Sequence, residues 1–242
     1  MHNYGYLVLL SDGTETNIGN KCGKKHFGTD FEDSKKIINQ LKTEKIHLEM
    51  VSNFIKDAAN NEKIIIKLQA GMKENPSLAK ICNLVYAMTQ NVEPLGSELT
   101  RKIQIMLEED GTIKKEIRKS KEEIEMEKAA GGKKISEYRT EIVGKVTGRS
   151  ILKKHKEIMG IRSYFQEIFT ATVGKNAHEM TKTKRRTISK KIGEYKEWCQ
   201  KLTEVMEAGE KFMKEENFIL IKSQLTTWEI ARVETLWNRY CK

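Results

Sequence analysis

The sequence predicts a mostly α protein, an elongated helical bundle of coiled-coil-like hairpins with a small N-terminal β-hairpin module. Three observations predict it. Apolar residues recur in alternating steps of three and four along three stretches. They run Ile37, Leu41, Glu44, Leu48, Val51, Ile55, Ala58; then Leu99, Ile103, Met106, Asp110, Ile113, Ile117, Ser120, Ile124; then Ile188, Ile192, Tyr195, Cys199, Leu202, Met206, Gly209, Met213. Such steps lay one apolar stripe along one side of a helix. The only two prolines, Pro76 and Pro94, flank one short segment, so long helices are permitted elsewhere. Hydrophobic residues make up 38% of the chain and charged residues 32%, against norms of about 45–50% and about 25%. That leaves little interior, which suits helices that each cover one stripe and argues against a compact α/β enzyme.

The elements follow in order. Tyr6, Val8 and Leu10 alternate with Leu7 and Leu9 in a strand-like run, Ser11-Asp12-Gly13 supplies a turn, and Thr14 to Ile18 makes a polar return strand. Gly19 to Gly28 reads as a glycine-punctuated knuckle, after which Thr29 or Asp30 caps a first long helix from about Phe31 to Met72. Ser77 to Gln90 is a short helix apolar on more than one side, and so destined for burial. Ser97 caps a second long helix ending near the Gly131-Gly132 hinge. Ile142, Val143 and Val146 suggest a short strand, and helical spacing returns from Ile151 to Phe169. Val173-Gly174 is a break, a third long helix spans about Asn176 to Glu216, Phe218 to Ile221 is a strand or a turn, and a terminal helix carries Trp228, Val233 and Trp237. The expected organisation is a hairpin-plus-knuckle module over 1–30, a long helical hairpin over 31–130 and a basic helical region over 133–242.

Polar residues interrupt the stripes at Glu44, Asp110 and Ser120. A buried carboxylate is costly unless paired, so these positions either open to solvent or fix register against a cation. Gly111, beside Asp110, marks a bend or break in the second helix and favours an irregular bundle over a seamless coiled coil.

Forty-four Lys and Arg against 34 Asp and Glu give a formal charge of +10 and an isoelectric point near 9.3. Such an excess favours polyanionic partners. The run Lys182, Lys184, Arg185, Arg186, Lys190, Lys191 holds six cations and no acid, with Thr181, Thr183, Thr187 and Ser189 among them as phosphate donors. On a helix, Lys182, Arg185 and Arg186 share a face opposite Ile188 and Ile192, a geometry that offers cations to a phosphate backbone. The alternative is a solvated face or a seat for an acidic segment of the same chain. A second patch, Arg149, Lys153, Lys154, His155 and Lys156, starts the preceding helix, where cations oppose the helix dipole at a cost of roughly a few tenths of a kcal/mol each.

Cys22 and His26, spaced Cys-x-x-x-His in the glycine-rich turn after the hairpin, are the candidate metal ligands. Over about residues 4–35 this resembles the second half of a zinc ribbon or treble clef, in which a hairpin presents a knuckle and a helix follows. The resemblance implies zinc as a cofactor. A closed zinc site takes four ligands, and no upstream Cys/His pair exists; His2, Cys82, His47 or a second subunit would have to complete it. The other reading is an ordinary Cys and His in a turn, with no cofactor.

Other chemistry fails on inspection. Gly144, Lys145 and Thr147 share residue types with a phosphate-binding loop but lack its glycine spacing. Cys199 has no positioned histidine, and no carboxylate pair stands out among helix-solubilising acids, so no enzyme is expected. The tryptophans are expected to be buried rather than stacked on bases. The four scattered cysteines make no disulfide framework, and the Met1–Leu10 stretch has no basic region and about half a spanning length, so a cytoplasmic chain with no membrane partner is expected. The expected function is non-catalytic engagement of nucleic acid or a nucleoprotein complex through Lys182–Lys191 and Arg149–Lys156, as a regulator or inhibitor acting by occlusion or scaffolding. The alternative is a structural or adaptor protein that pairs with another protein, or with itself as a homodimer, along the Leu99–Ile124 or Ile188–Met213 stripe.

Overall fold

The computed structural model describes residues 5–69, 76–108, 110–131 and 136–241. It is mostly helical, with a small two-stranded antiparallel hairpin near the N-terminus. The elements are β1 (Gly5–Leu9), β2 (Glu15–Gly19), α1 (Asn20–Lys56), α2 (Ala58–Gln69), α3 (Leu78–Thr89), α4 (Gly96–Glu108), β3 (Thr112–Arg118), α5 (Lys121–Ala129), β4 (Tyr138–Lys145), α6 (His155–Thr172), α7 (Lys182–Phe212), α8 (Glu215–Lys222) and α9 (Thr227–Tyr240). Short 3₁₀ turns over Arg149–Lys154 and Ala177–Glu179 precede α6 and α7. His2 and the Gly71, Asn75 and Gly132 stop signals lie outside the described residues.

The chain forms two compact units. The first joins Met1–Asp57 with Ala171–Gly193; the second joins Ala58–Thr170 with Glu194–Lys242.

In the first unit, β1 pairs with β2 from Gly5 opposite Gly19 to Leu9 opposite Glu15. Asp12 closes the turn by accepting from the Thr14 amide at 2.9 Å, with Gly13 at φ +83°. The expected knuckle is helix instead. Its glycines serve packing: a Cβ at Gly23 would sit 2.2 Å from the Phe31 ring, and Gly28 kinks α1 at φ 57°, ψ −133°. Tyr6 meets Phe31 edge-on at 5.5 Å, so the hairpin leans on α1, as an isolated hairpin must lean on something. Further along, Leu48, Val51 and Ile55 of the first stripe pack with Ala177, Met180, Ile188 and Ile192. Ile37 and Leu41 of the same stripe remain 56% and 58% exposed.

In the second unit, α3 sits in the core, with Leu78, Ile81, Leu84 and Val85 fully enclosed and Ser77 capping it through the Lys80 amide. It touches α2, α4, α9 and the 3₁₀ turn before α6. The α7 stripe faces inward at Leu202, Met206 and Gly209, where a Cβ on Gly209 would lie 2.4 Å from Ile81 Cδ1. Tyr164 stacks on Trp198 at 4.7 Å and Phe218 on Trp237 at 4.6 Å, while Trp228 is exposed beneath Arg232.

The second long helix is corrected. α4 stops at Glu108, Asp110 and Gly111 form a turn with Gly111 at φ +79°, and β3 follows, paired antiparallel with β4 from Thr112 opposite Lys145 to Arg118 opposite Tyr138. A step of four, as between Ile113 and Ile117, returns to the same face of a strand as well as of a helix, so the stripe ran on through a change of structure. The β-branched residues of both segments then favour the ladder. Ser120 is not a seam residue. It caps α5 in a reciprocal box with Glu123. Two smaller corrections concern helix ends: α7 begins at Lys182, after Asn176 has capped the preceding 3₁₀ turn, and Phe218–Ile221 belongs to α8 rather than to a strand.

Candidate nucleic-acid interface

The residues of the first basic run occupy the opening turns of α7 in the first unit, and their burial sorts them. Ile188 and Ser189 are buried, and Arg185, Lys191 and Ile192 are partly so; Lys182, Thr183, Lys184, Arg186, Thr187 and Lys190 are exposed. Arg185 therefore does not share the outer face expected for it. Its guanidinium turns inward and donates to the carbonyls of Met180 and Ala177, fastening the segment that leads into the helix. Lys182 pairs with Glu44 at 2.8 Å, so the carboxylate that interrupts the first stripe does meet a cation.

The expected hydroxyl donors are mostly engaged at home. Ser189 donates to the His47 carbonyl at 3.2 Å, Thr187 to the Thr183 carbonyl at 3.1 Å, and Thr181 accepts the Lys184 amide as N-cap. What remains outward is cationic. Among the described residues, Lys184, Arg186 and Lys190 take part in no ion pair. Arg186 and Lys190 are one helical step of four apart, about 6 Å along the axis, near the rise across two phosphates of one strand at about 3.4 Å each.

The second patch lies in the second unit, around the loop joining β4 to α6. Arg149 donates to the carbonyls of Leu107 at 2.9 Å and Glu108 at 3.2 Å, placing its charge at the C-terminus of α4, where a cation suits the dipole. That is a structural duty which the sequence did not reveal. Lys154 pairs with Glu157 at 3.3 Å, which offsets the cost of cations at this helix start. His155 stands 5.5 Å from the Tyr86 ring. Lys153 and Lys156 are exposed. Lys145, Thr147, Ser150, Lys153 and Asp110 line a cleft of about 480 Å³.

Inside that cleft, Asp110 accepts from the Thr112 amide and from Lys145 Nζ, both at 2.9 Å. Hydrogen bonds from Thr112, then from Lys145, hold its carboxyl well below the ordinary 3.8. A depressed folded-state pKa gives stability that is present above the unfolded value and lost as pH falls through the folded one. Asp110→Asn is therefore expected to lower the urea midpoint at about pH 7, and the gap from the parent chain should close toward about pH 2. A gap that persists in acid would refute the assignment.

Sequence reasoning missed Asn217. It is buried and bridges this loop to the end of α7: its amide nitrogen reaches the carbonyls of Lys211 at 2.7 Å, Phe212 at 3.1 Å and Thr147 at 3.0 Å, and its oxygen accepts the Thr147 amide at 2.9 Å. No local pattern marks such a residue, since its partners lie both beside it and far upstream.

Cys22 and His26 stand on α1 before the kink, both exposed. Cys82 is buried in the second unit with its sulfur 3.4 Å from that of Met159. Among the described residues no group of three or more His, Cys, Asp or Glu converges on a metal-binding point, and no helix is long and apolar enough to cross a membrane. Set beside protein-family models, curated proteins and solved structures, the chain matches none.

Proposed function

We propose that this chain is a non-catalytic protein of the cytoplasm that engages nucleic acid, or a nucleoprotein complex, through the outer face of α7, acting by occlusion or scaffolding as a regulator or inhibitor. The observation that supports this reading is the disposition of Lys184, Arg186 and Lys190. They point outward from a helix whose inner side is anchored by Arg185, Ile188 and Ser189, in a run with no acid. Lys182 and Lys191 flank that face, and Lys153 and Lys156 offer cations on the second unit, while Arg149 is committed to α4 and Lys154 pairs with Glu157. Cationic side chains that displace counterions bind any duplex and weaken with salt.

The test is a salt titration of binding to a short labelled duplex and to a single-stranded oligonucleotide. The triple variant K184Q/R186Q/K190Q should bind more weakly and flatten the slope of log affinity against log salt by roughly two to three, at about 0.9 for each phosphate no longer neutralised. Arg185→Gln should leave the slope unchanged. Equal slopes for the triple variant and its parent, or no binding in low salt, would end the proposal.

One observation favours the adaptor reading. The stripes expected to pair with a partner are occupied within the second unit, at Leu99, Ile103, Leu202 and Met206, but Ile37 and Leu41 of the first stripe stay exposed. Light scattering with and without the oligonucleotide separates the readings, since an adaptor built on Ile37 and Leu41 would be indifferent to nucleic acid.

A further inference from the structure

We infer that Cys22 and His26 form one half of a zinc site that a second copy of this chain completes. The two residues are four apart on the helical segment that precedes the Gly28 kink, so their side chains leave the same face one turn apart, at about 5.4 Å of pitch. That spacing lets one helix present two ligands to one ion, as paired histidines do in helical zinc motifs. Both are exposed, so neither has to leave a core to bind.

The stoichiometry follows from zinc's preference for four ligands in a closed tetrahedral site, at about 2.3 Å to sulfur and about 2.0–2.1 Å to nitrogen. Among the described residues the chain brings no third His, Cys, Asp or Glu to this pair. A twofold axis doubles the pair to two thiolates and two imidazoles, a neutral closed site around a dication. Each Cys22 thiol gives its proton to solvent as its sulfur binds, so assembly weakens as pH falls.

A second observation points to another copy on this module. Phe27, next to His26, is exposed and shares a groove of about 290 Å³ with Leu7, Leu9 and Ile38; Leu7 and Leu9 are 69% and 68% exposed. Apolar surface gathered in this way marks an interaction site. The charges explain why the metal is needed. Lys21, Lys24 and Lys25 lie on the same short helical segment, all exposed, so two copies repel there until the ion and its thiolates hold them together.

The experiment uses the full chain, stripped with chelator and then titrated with zinc. Static light scattering, metal analysis and cobalt substitution are read together. The expected result is a doubled mass that saturates at half a zinc per chain, reverses with chelator, and gives the intense visible absorption of tetrahedral thiolate-bound cobalt. Cys22→Ser and His26→Ala should each lose both the metal and the doubled mass, with unchanged circular dichroism because both positions are exposed. His26→Cys, which keeps a zinc ligand one turn from Cys22, should retain both. A mass unchanged by zinc, one zinc per chain at unchanged mass, or zinc held equally by Cys22→Ser would each overturn the inference.

Discussion

Gly148→Ala is expected to destabilise the protein by about 3 kcal/mol or more, read as a lowered midpoint in urea with circular dichroism as the probe. Two costs combine. Gly148 sits at φ +68°, where an L residue loses roughly 1–2 kcal/mol to the clash of its Cβ with the following carbonyl. That Cβ would also lie 2.4 Å from the Ala208 carbonyl oxygen and 2.5 Å from the Phe212 amide nitrogen. Both are main-chain atoms of α7, in a stretch held by the buried residues Val205, Met206 and Phe212. They cannot swing aside as a flexible side chain would, so the loop or the helix must shift, and forced overpacking of this kind costs about 1–3 kcal/mol. Gly174 is the control. It has a comparable φ of +66° but nothing within 4 Å of its would-be Cβ, so Gly174→Ala should show only the backbone part, about 1–2 kcal/mol. Equal effects at the two glycines would mean that the close approach at Gly148 contributes nothing. Because Gly148 lies between β4 and the 3₁₀ turn that carries Arg149 and Lys153, its displacement should also disturb the basic cleft.

What the sequence disclosed and what it concealed divide along a physical line. Local signals were legible. The Ser11-Asp12-Gly13 turn, the apolar wrap of α3 and the inward stripe of α7 each depend on neighbours a few positions away, and each is where it was expected. Signals that depend on a distant partner were not. Thr112–Arg118 became a strand because Tyr138–Lys145 arrives to pair with it, and nothing within the stretch distinguishes a step of four on a strand from one on a helix. Gly23 and Gly28 punctuate what the sequence reads as a knuckle, but the Phe31 ring lies over one and a helix kink falls at the other.

The basic run shows the same division at the candidate interface. Its charge and its position on a helix were plain, but Arg185, Thr187 and Ser189 were counted as outward groups although they bond carbonyls of their own unit. Helical phase itself sets Arg185 on the inner side, three, four and seven residues before Ile188, Ser189 and Ile192. Which way a long side chain turns there is decided by the nearest unsatisfied oxygen, and here that oxygen belongs to the turn before the helix. The outward set thus narrows to Lys184, Arg186 and Lys190, with Lys191 partly covered at its edge.

Asn217→Leu should cost about 3 kcal/mol in the same urea assay, although leucine keeps the branched skeleton of asparagine. The argument rests on what the amide leaves behind. Asn217 is 2% exposed, and its side chain satisfies the Lys211 and Phe212 carbonyls at the end of α7, where helical oxygens have no partner in their own helix. It also bridges both main-chain polar groups of Thr147, accepting from the nitrogen and donating to the oxygen. Leucine strands these groups, and each buried polar group left without a partner costs about 1–3 kcal/mol; solvent reaches Thr147 and recovers part of the loss. Asn217→Asp separates this account from simple packing. An aspartate keeps the acceptor for the Thr147 amide but sets a carboxylate against three carbonyl oxygens, which raises its folded-state pKa above the unfolded value. A raised carboxyl pKa makes the ionised form the costly one, so the deficit of Asn217→Asp relative to the parent should be largest near neutral pH and shrink on acidification, while the deficit of Asn217→Leu stays constant. If both deficits ignore pH, or if leucine is tolerated, the loop is held by its apolar neighbours rather than by this amide.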